Sequence, residues 1–146
     1  MKLFLDMCCY NRPYDPQEQL KINLETQAKL YIQDQIKKGN IALVSSYTLD
    51  YEVSNVPQPE RRNAIRRFIT DYSAEYIGPE NHRAVESKAR EIILTGVKEK
   101  DASHVACAIL CGCDCFITTD RRLLRYSTSE IMLLNPIDFV REKEGM

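Results

Sequence analysis

Two short apolar runs in this chain each lead into an aspartate. Lys2 to Leu5 ends at Asp6, and Cys115 to Thr118 is followed by Asp120. Runs of this length without polar alternation suit strands buried on both faces, as in parallel sheets closed by helices. Ile41 to Val44 and Ile131 to Leu134 are runs of the same kind, and Glu75 to Ile77 reads as a short strand or linker. Segments with helical spacing lie between them, so strands and helices alternate along the chain. That order predicts an α/β fold: a three-layer sandwich with a parallel sheet of four to five strands, right-handed crossovers and helices on both faces. The 146 residues suffice for a single domain spanning 1–146 with its own core.

The helices are marked by their apolar stripes and breakers. Met7 to Pro16 carries two prolines and reads as a loop, with Asp15-Pro16 as cap and first turn of a helix running to about Lys38. Leu20, Leu24, Ala28, Ile32 and Ile36 would be its inward face. Ser45 or Ser46 can cap the helix that carries YTLDYEVSN. Pro59 opens a helix with Ile65, Phe68, Ile69 and Tyr72 inward and Arg61, Arg62, Arg66 and Arg67 on the opposite face. Val85, Ala89, Ile92 and Ile93 define a helix from Pro79 to Gly96. Ala102, Val105, Ala106 and Ile109 define one that starts at Asp101 and stops at Gly112. A closing helix starts at Pro136.

In a parallel sheet all strands present their carboxyl ends along one edge, where ligand sites of open α/β folds form. Asp6 and Asp120 therefore converge. Asp101 begins the helix that leads into the Asp120 strand, and Glu52 stands on the helix that leaves the Ile41 strand. Helix capping would account for Asp101 and Asp120, but not for Glu52 in mid-helix. Asp50 points to a different face, and Asp15 and Asp114 suit a cap and a turn. Four carboxylates in one cleft repel one another unless a cation neutralises them, and hard Mg²⁺ or Mn²⁺ suits oxygen ligands. Such an ion with an open position activates water for phosphodiester hydrolysis. His104, one turn after Asp101, reads as a helix-surface or second-shell residue, because this chemistry generates its nucleophile on the metal.

Composition narrows the setting. The net charge of −1 gives no global attraction to nucleic acid, so any basic footprint must be local. Six cysteines without a secretory leader suggest reduced thiols and a cytoplasmic protein with no membrane span. Cys107, Cys111, Cys113 and Cys115 lack the spacing of a zinc knuckle.

The order of Asp6 after the first strand, Glu52 on an early helix, KDASHVACA with Asp101 and ITTD with Asp120 resembles the PIN domain, the PilT N-terminal nuclease family. The likeness extends from Leu3 to Val140, with NPIDFV matching the final strand-to-helix step. It implies a metal-dependent endoribonuclease, of the kind often encoded as the toxin of a toxin-antitoxin pair, in which Asp6, Glu52, Asp101 and Asp120 form the catalytic set and hold Mg²⁺ or Mn²⁺. Thr118 matches a hydroxyl that hydrogen-bonds within the site. Relatives often form homodimers and are held by a small antitoxin. The chain departs from the family at Met7 and Cys8 after the first acid, at Thr119, and at Leu123 and Leu124, where a further acid is absent, so one firmly held ion is expected. The unusual Met7 to Asp15 segment also fits a stand-alone member.

Local spacing adds Asn11 and Asn55 beside the acids. Arg12, Arg121, Arg122 and Arg125 would grip phosphates of single-stranded or structured RNA near the cut, with Arg61, Arg62, Arg66 and Arg67 as an outer track. The alternative is a non-catalytic PIN-like RNA- or protein-binding module, which would be free to lose the carboxylates. A receiver-like phosphoacceptor use of Asp6 would want a second acid where Cys8 stands.

Overall fold

The computed structural model describes residues 1–145. Five strands, β1 (Lys2–Leu5), β2 (Ala42–Ser46), β3 (Ser73–Ile77), β4 (Cys115–Ile117) and β5 (Met132–Leu134), form one sheet in the order β3-β2-β1-β4-β5. Every pairing is parallel, with Leu3 opposite Leu43 on one side and Cys115 on the other. Leu3, Phe4, Leu5, Leu43, Val44, Phe116 and Ile117 are all fully buried, as the unbroken apolar runs require. The Phe4 and Phe116 rings stack with centroids 5.3 Å apart.

Among the described residues seven helices cover the sheet: α1 (Met7–Asn11), α2 (Leu20–Lys37), α3 (Tyr47–Ser54), α4 (Pro59–Tyr72), α5 (His82–Ile93), α6 (Glu99–Leu110) and α7 (Pro136–Glu144). Chain direction along the sheet reverses after β3, so right-handed crossovers place α2 and α4 on one face and α5 and α6 on the other. Helix α7 packs on α2, and α5 on α6. The reversal puts a topological switch point between β1 and β4, the strands that deliver Asp6 and Asp120. No helix among the described residues is long and apolar enough to cross a membrane.

Three local expectations are corrected. Met7 to Asn11 is helical rather than a loop, because Asp6 caps it by accepting from the Met7 amide at 2.9 Å. The prolines act later, where Arg12–Tyr14 tightens into a 3₁₀ turn. Helix α2 starts at Leu20, not Pro16, and Leu20 and Leu24 are exposed at 73% and 43%. A strict four-residue repeat rotates by roughly 40° per step, so Leu20 lies roughly 160° around the helix from Ile36. The buried line is instead Glu25, Lys29, Ile32 and Ile36. In α4, Arg61 stands four residues before buried Ile65 and so shares its stripe. Arg62 flanks that stripe, and of the four only Arg66 and Arg67 are exposed.

Candidate active site

Asp6 sits at the carboxyl end of β1 and is only 5% exposed. Its Oδ1 accepts from the Met7 amide, and its Oδ2 accepts from Thr118 Oγ1 at 2.8 Å and from the Cys8 thiol at 3.5 Å. Thr118 in turn accepts from the Asp120 amide at 3.1 Å, so one hydroxyl ties the ends of β1 and β4 together. Burial pushes the Asp6 carboxyl well above its ordinary range, with Cys8 adding to the rise and His104 and the Thr118 bond opposing it.

Glu52 comes from α3, whose start is set by Ser46: its Oγ accepts from the Leu49 amide at 3.1 Å. Burial would raise the Glu52 carboxyl, but the hydrogen bond to His104 and that ring's charge outweigh it and leave Glu52 below its usual value. His104 is 1% exposed, which removes the helix-surface reading. Its Nε2 bonds the Glu52 carboxylate, and its Nδ1 lies 3.0 Å from Thr48 Oγ1. Donor atoms of Asp6, Glu52 and His104 all fall within 4.8 Å of one another, the spread of a shared ion. The signal for His104 was its place one turn beyond Asp101 on the same helix face.

Asp101 lies in the first turn of α6 and is half-buried. Burial raises its carboxyl, and the charges of Asp120 and Glu52 raise it further, so these acids sense one another across the sheet edge. Asp120 Oδ1 accepts from the Arg122 amide at 2.9 Å and the Leu123 amide at 3.4 Å, making it the cap of the turn at Leu123–Arg125. Capping and a place in the site coexist, because Asp101, Asp120, Arg122 and Arg125 also line one cavity of about 350 Å³. Glu52, Asn11, Asn55 and Arg61 line a second cavity. Asp50 is occupied elsewhere, accepting from Tyr76 Oη at 2.7 Å.

Several of the residues expected to hold RNA are engaged within the protein. Arg12 donates to Glu25 at 2.9 Å and Asp15 at 2.8 Å, and Glu25 is fully buried. Arg61 donates to Asn11 Oδ1 at 2.6 Å and lies over the Tyr14 ring, while Arg62 donates to the Val56 carbonyl at 2.9 Å. Asn11 is therefore a partner of Arg61. Arg66, Arg67, Arg121 and Arg122 are exposed.

The residues present fit a divalent cation. Among the described residues, no lysine or arginine forms an ion pair with Asp6, Glu52, Asp101 or Asp120, although the charge of Asp101 raises the proton affinity of Asp6, and those of Asp120 and Glu52 raise that of Asp101. Oxygen donors dominate the set, as hard ions require. All six cysteines are unpaired, and none belongs to the clustered donors.

This all-parallel arrangement with acids at the switch point is the fold of a PIN domain. VapBC2 from Rickettsia felis, solved bound to a DNA fragment from their promoter, matches over 92% of this chain and 98% of that one, with a TM-score of 0.53 and 18% identity. FitAcB from Neisseria gonorrhoeae matches over 92% and 97%, with a TM-score of 0.54 and 15% identity. No protein-family model and no curated protein sequence matches the chain.

Proposed function

We propose that this protein is a metal-dependent endoribonuclease that hydrolyses phosphodiester bonds of single-stranded or structured RNA, using Asp6, Glu52, Asp101 and Asp120 to hold Mg²⁺ or Mn²⁺. The observation that carries the reading is Asp6: a buried carboxylate with no lysine or arginine partner, its oxygens gathered with Glu52 and His104 within 4.8 Å. A bound divalent ion supplies Lewis acidity toward phosphate and lowers the pKa of water. The protein's own groups do the rest. Thr118 and the Met7 amide fix the Asp6 oxygens, His104 fixes Glu52, and the Leu123–Arg125 turn fixes Asp120. Arg122 and Arg125, on the cavity shared with Asp101 and Asp120, are placed for phosphates flanking the cut.

VapBC2 and FitAcB are toxin-antitoxin complexes. Their likeness to nearly the whole of this chain supports a toxin-like role with a small antitoxin protein as partner. The test is isothermal titration of Mn²⁺ and of Mg²⁺ into wild type and Asp101→Asn. Saturable binding that is lost or weakened at least about tenfold in the variant supports the reading. Equal binding by both proteins would remove Asp101 from the site, and no binding by wild type would remove the metal.

A further inference from the structure

We propose that His104 Nε2 is itself a ligand of the divalent ion and makes the site favour transition-metal ions over Mg²⁺; the inference rests on the metal-nuclease reading above. The ring is 1% exposed and packs against Phe4, with centroids 5.9 Å apart, so it is not an ordinary surface histidine. Its Nδ1 is held by Thr48 Oγ1 at 3.0 Å, and Thr48 is held by Ser46 Oγ at 2.8 Å. The Thr48 hydroxyl holds the ring's orientation and can accept from Nδ1–H, the tautomer that leaves the Nε2 lone pair for a metal, much as the second ring nitrogen of metal-ligating histidines is usually tied down. The other nitrogen is aimed at the carboxylate of Glu52 and lies within 4.8 Å of a carboxylate oxygen of Asp6. Two carboxylates and one imidazole thus converge from β1, α3 and α6 on one point.

The consequence is selectivity. Mg²⁺ demands oxygen ligands and keeps its waters, and gains little from an imidazole. For first-row divalent ions an imidazole ligand adds affinity, which rises from Mn²⁺ to Co²⁺. The rival role for His104 is to position Glu52 by its hydrogen bond alone. That role would affect every ion alike.

The test uses the purified full chain with metal salts alone. Mg²⁺, Mn²⁺ and Co²⁺ affinities are measured by calorimetry for wild type and His104→Gln, with circular dichroism to confirm the fold. Electron spin-echo modulation is recorded on the Mn²⁺-loaded wild type, natural and with ¹⁵N-histidine. The expected result is a ¹⁴N modulation that changes on ¹⁵N substitution. In His104→Gln, Mn²⁺ and Co²⁺ affinity should fall on the order of 10–100-fold while Mg²⁺ affinity stays within a few-fold. Mn²⁺ binding without nitrogen modulation, or an equal loss for all three ions, overturns the ligand role and leaves the nuclease reading standing. No binding of any ion by wild type overturns both. Because the modulation is read on wild type, a variant that fails to fold does not decide the outcome.

Discussion

At the scale of single residues, Asp6 carries the tension in this molecule. Its carboxyl is buried at a strand end, held by Thr118, Cys8 and the Met7 amide, and its proton affinity is raised by burial. The folded value lies above the unfolded one near 3.8, so the neutral form is favoured in the fold. That contribution is complete below the unfolded value and is lost as pH rises through the folded one. Asp6→Asn should therefore stabilise the metal-free protein at neutral pH by about 1–2 kcal/mol in urea unfolding, with the gain shrinking as pH falls through the raised Asp6 range. A constant difference across pH would show that burial of the charge is not what strains the site. Glu52 works in the opposite sense: held low by His104, its contribution is present above the ordinary carboxylate range and is lost as pH falls through its folded value. Since Asp6 and Asp101 must lose protons to bind a cation, Mn²⁺ affinity should rise with pH through their raised range, and calorimetry at several pH values reads it directly.

At the scale of elements, the strands and their terminal acids were legible because a doubly buried strand leaves an unbroken apolar run and a parallel sheet aligns its carboxyl ends. That topology leads to the expectation of Asp6, Glu52, Asp101 and Asp120; the structure brings donor atoms of Asp6 and Glu52 together with His104 and sets Asp101 and Asp120 on one cavity. Polar residues that are buried by pairing leave no such trace. Glu25 on α2 is fully buried because Arg12 and Asn135 bond it from two other elements, so the apolar repeat of Leu20 and Leu24 pointed to the wrong face. His104 was hidden for the same reason, its burial depending on Thr48 and Glu52 from α3. The sequence reading gives Arg12 a phosphate near the cut and Arg61, Arg62, Arg66 and Arg67 an outer track, and a sequence does not show that Arg12, Arg61 and Arg62 have partners within the protein. Arg12→Ala should accordingly act on stability, by about 3 kcal/mol in chemical denaturation, since it strips a buried carboxylate of its main counter-charge. RNA affinity of the folded variant should be unchanged, and a loss of affinity without loss of stability would restore Arg12 to the substrate interface.

At the scale of the whole molecule, the sheet's switch point gathers the acids on one edge, and cations stand close by: Lys98, Arg122 and Arg125 line the cavity of Asp101 and Asp120, the charge of Lys100 lowers Glu52, and Arg121 is exposed beside the last acid. With a net charge of −1, the protein attracts a polyanion through local groups of cations such as this one. Reversing Arg121 and Arg122 together to glutamate should weaken binding of single-stranded RNA to an Asp101→Asn protein and lower the salt slope by about 1.4, two phosphate contacts at about 0.7 each. An unchanged slope would place the RNA elsewhere. The central claim is that the converging carboxylates bind a divalent ion to cut RNA. Its most direct test is cleavage of end-labelled single-stranded RNA by the purified chain, first stripped of metal with chelator and then given Mn²⁺. The account requires no cleavage by the stripped protein, recovery on adding Mn²⁺, and none by Asp6→Asn under either condition. Cleavage that persists in chelator, or equal cleavage by Asp6→Asn, would contradict it.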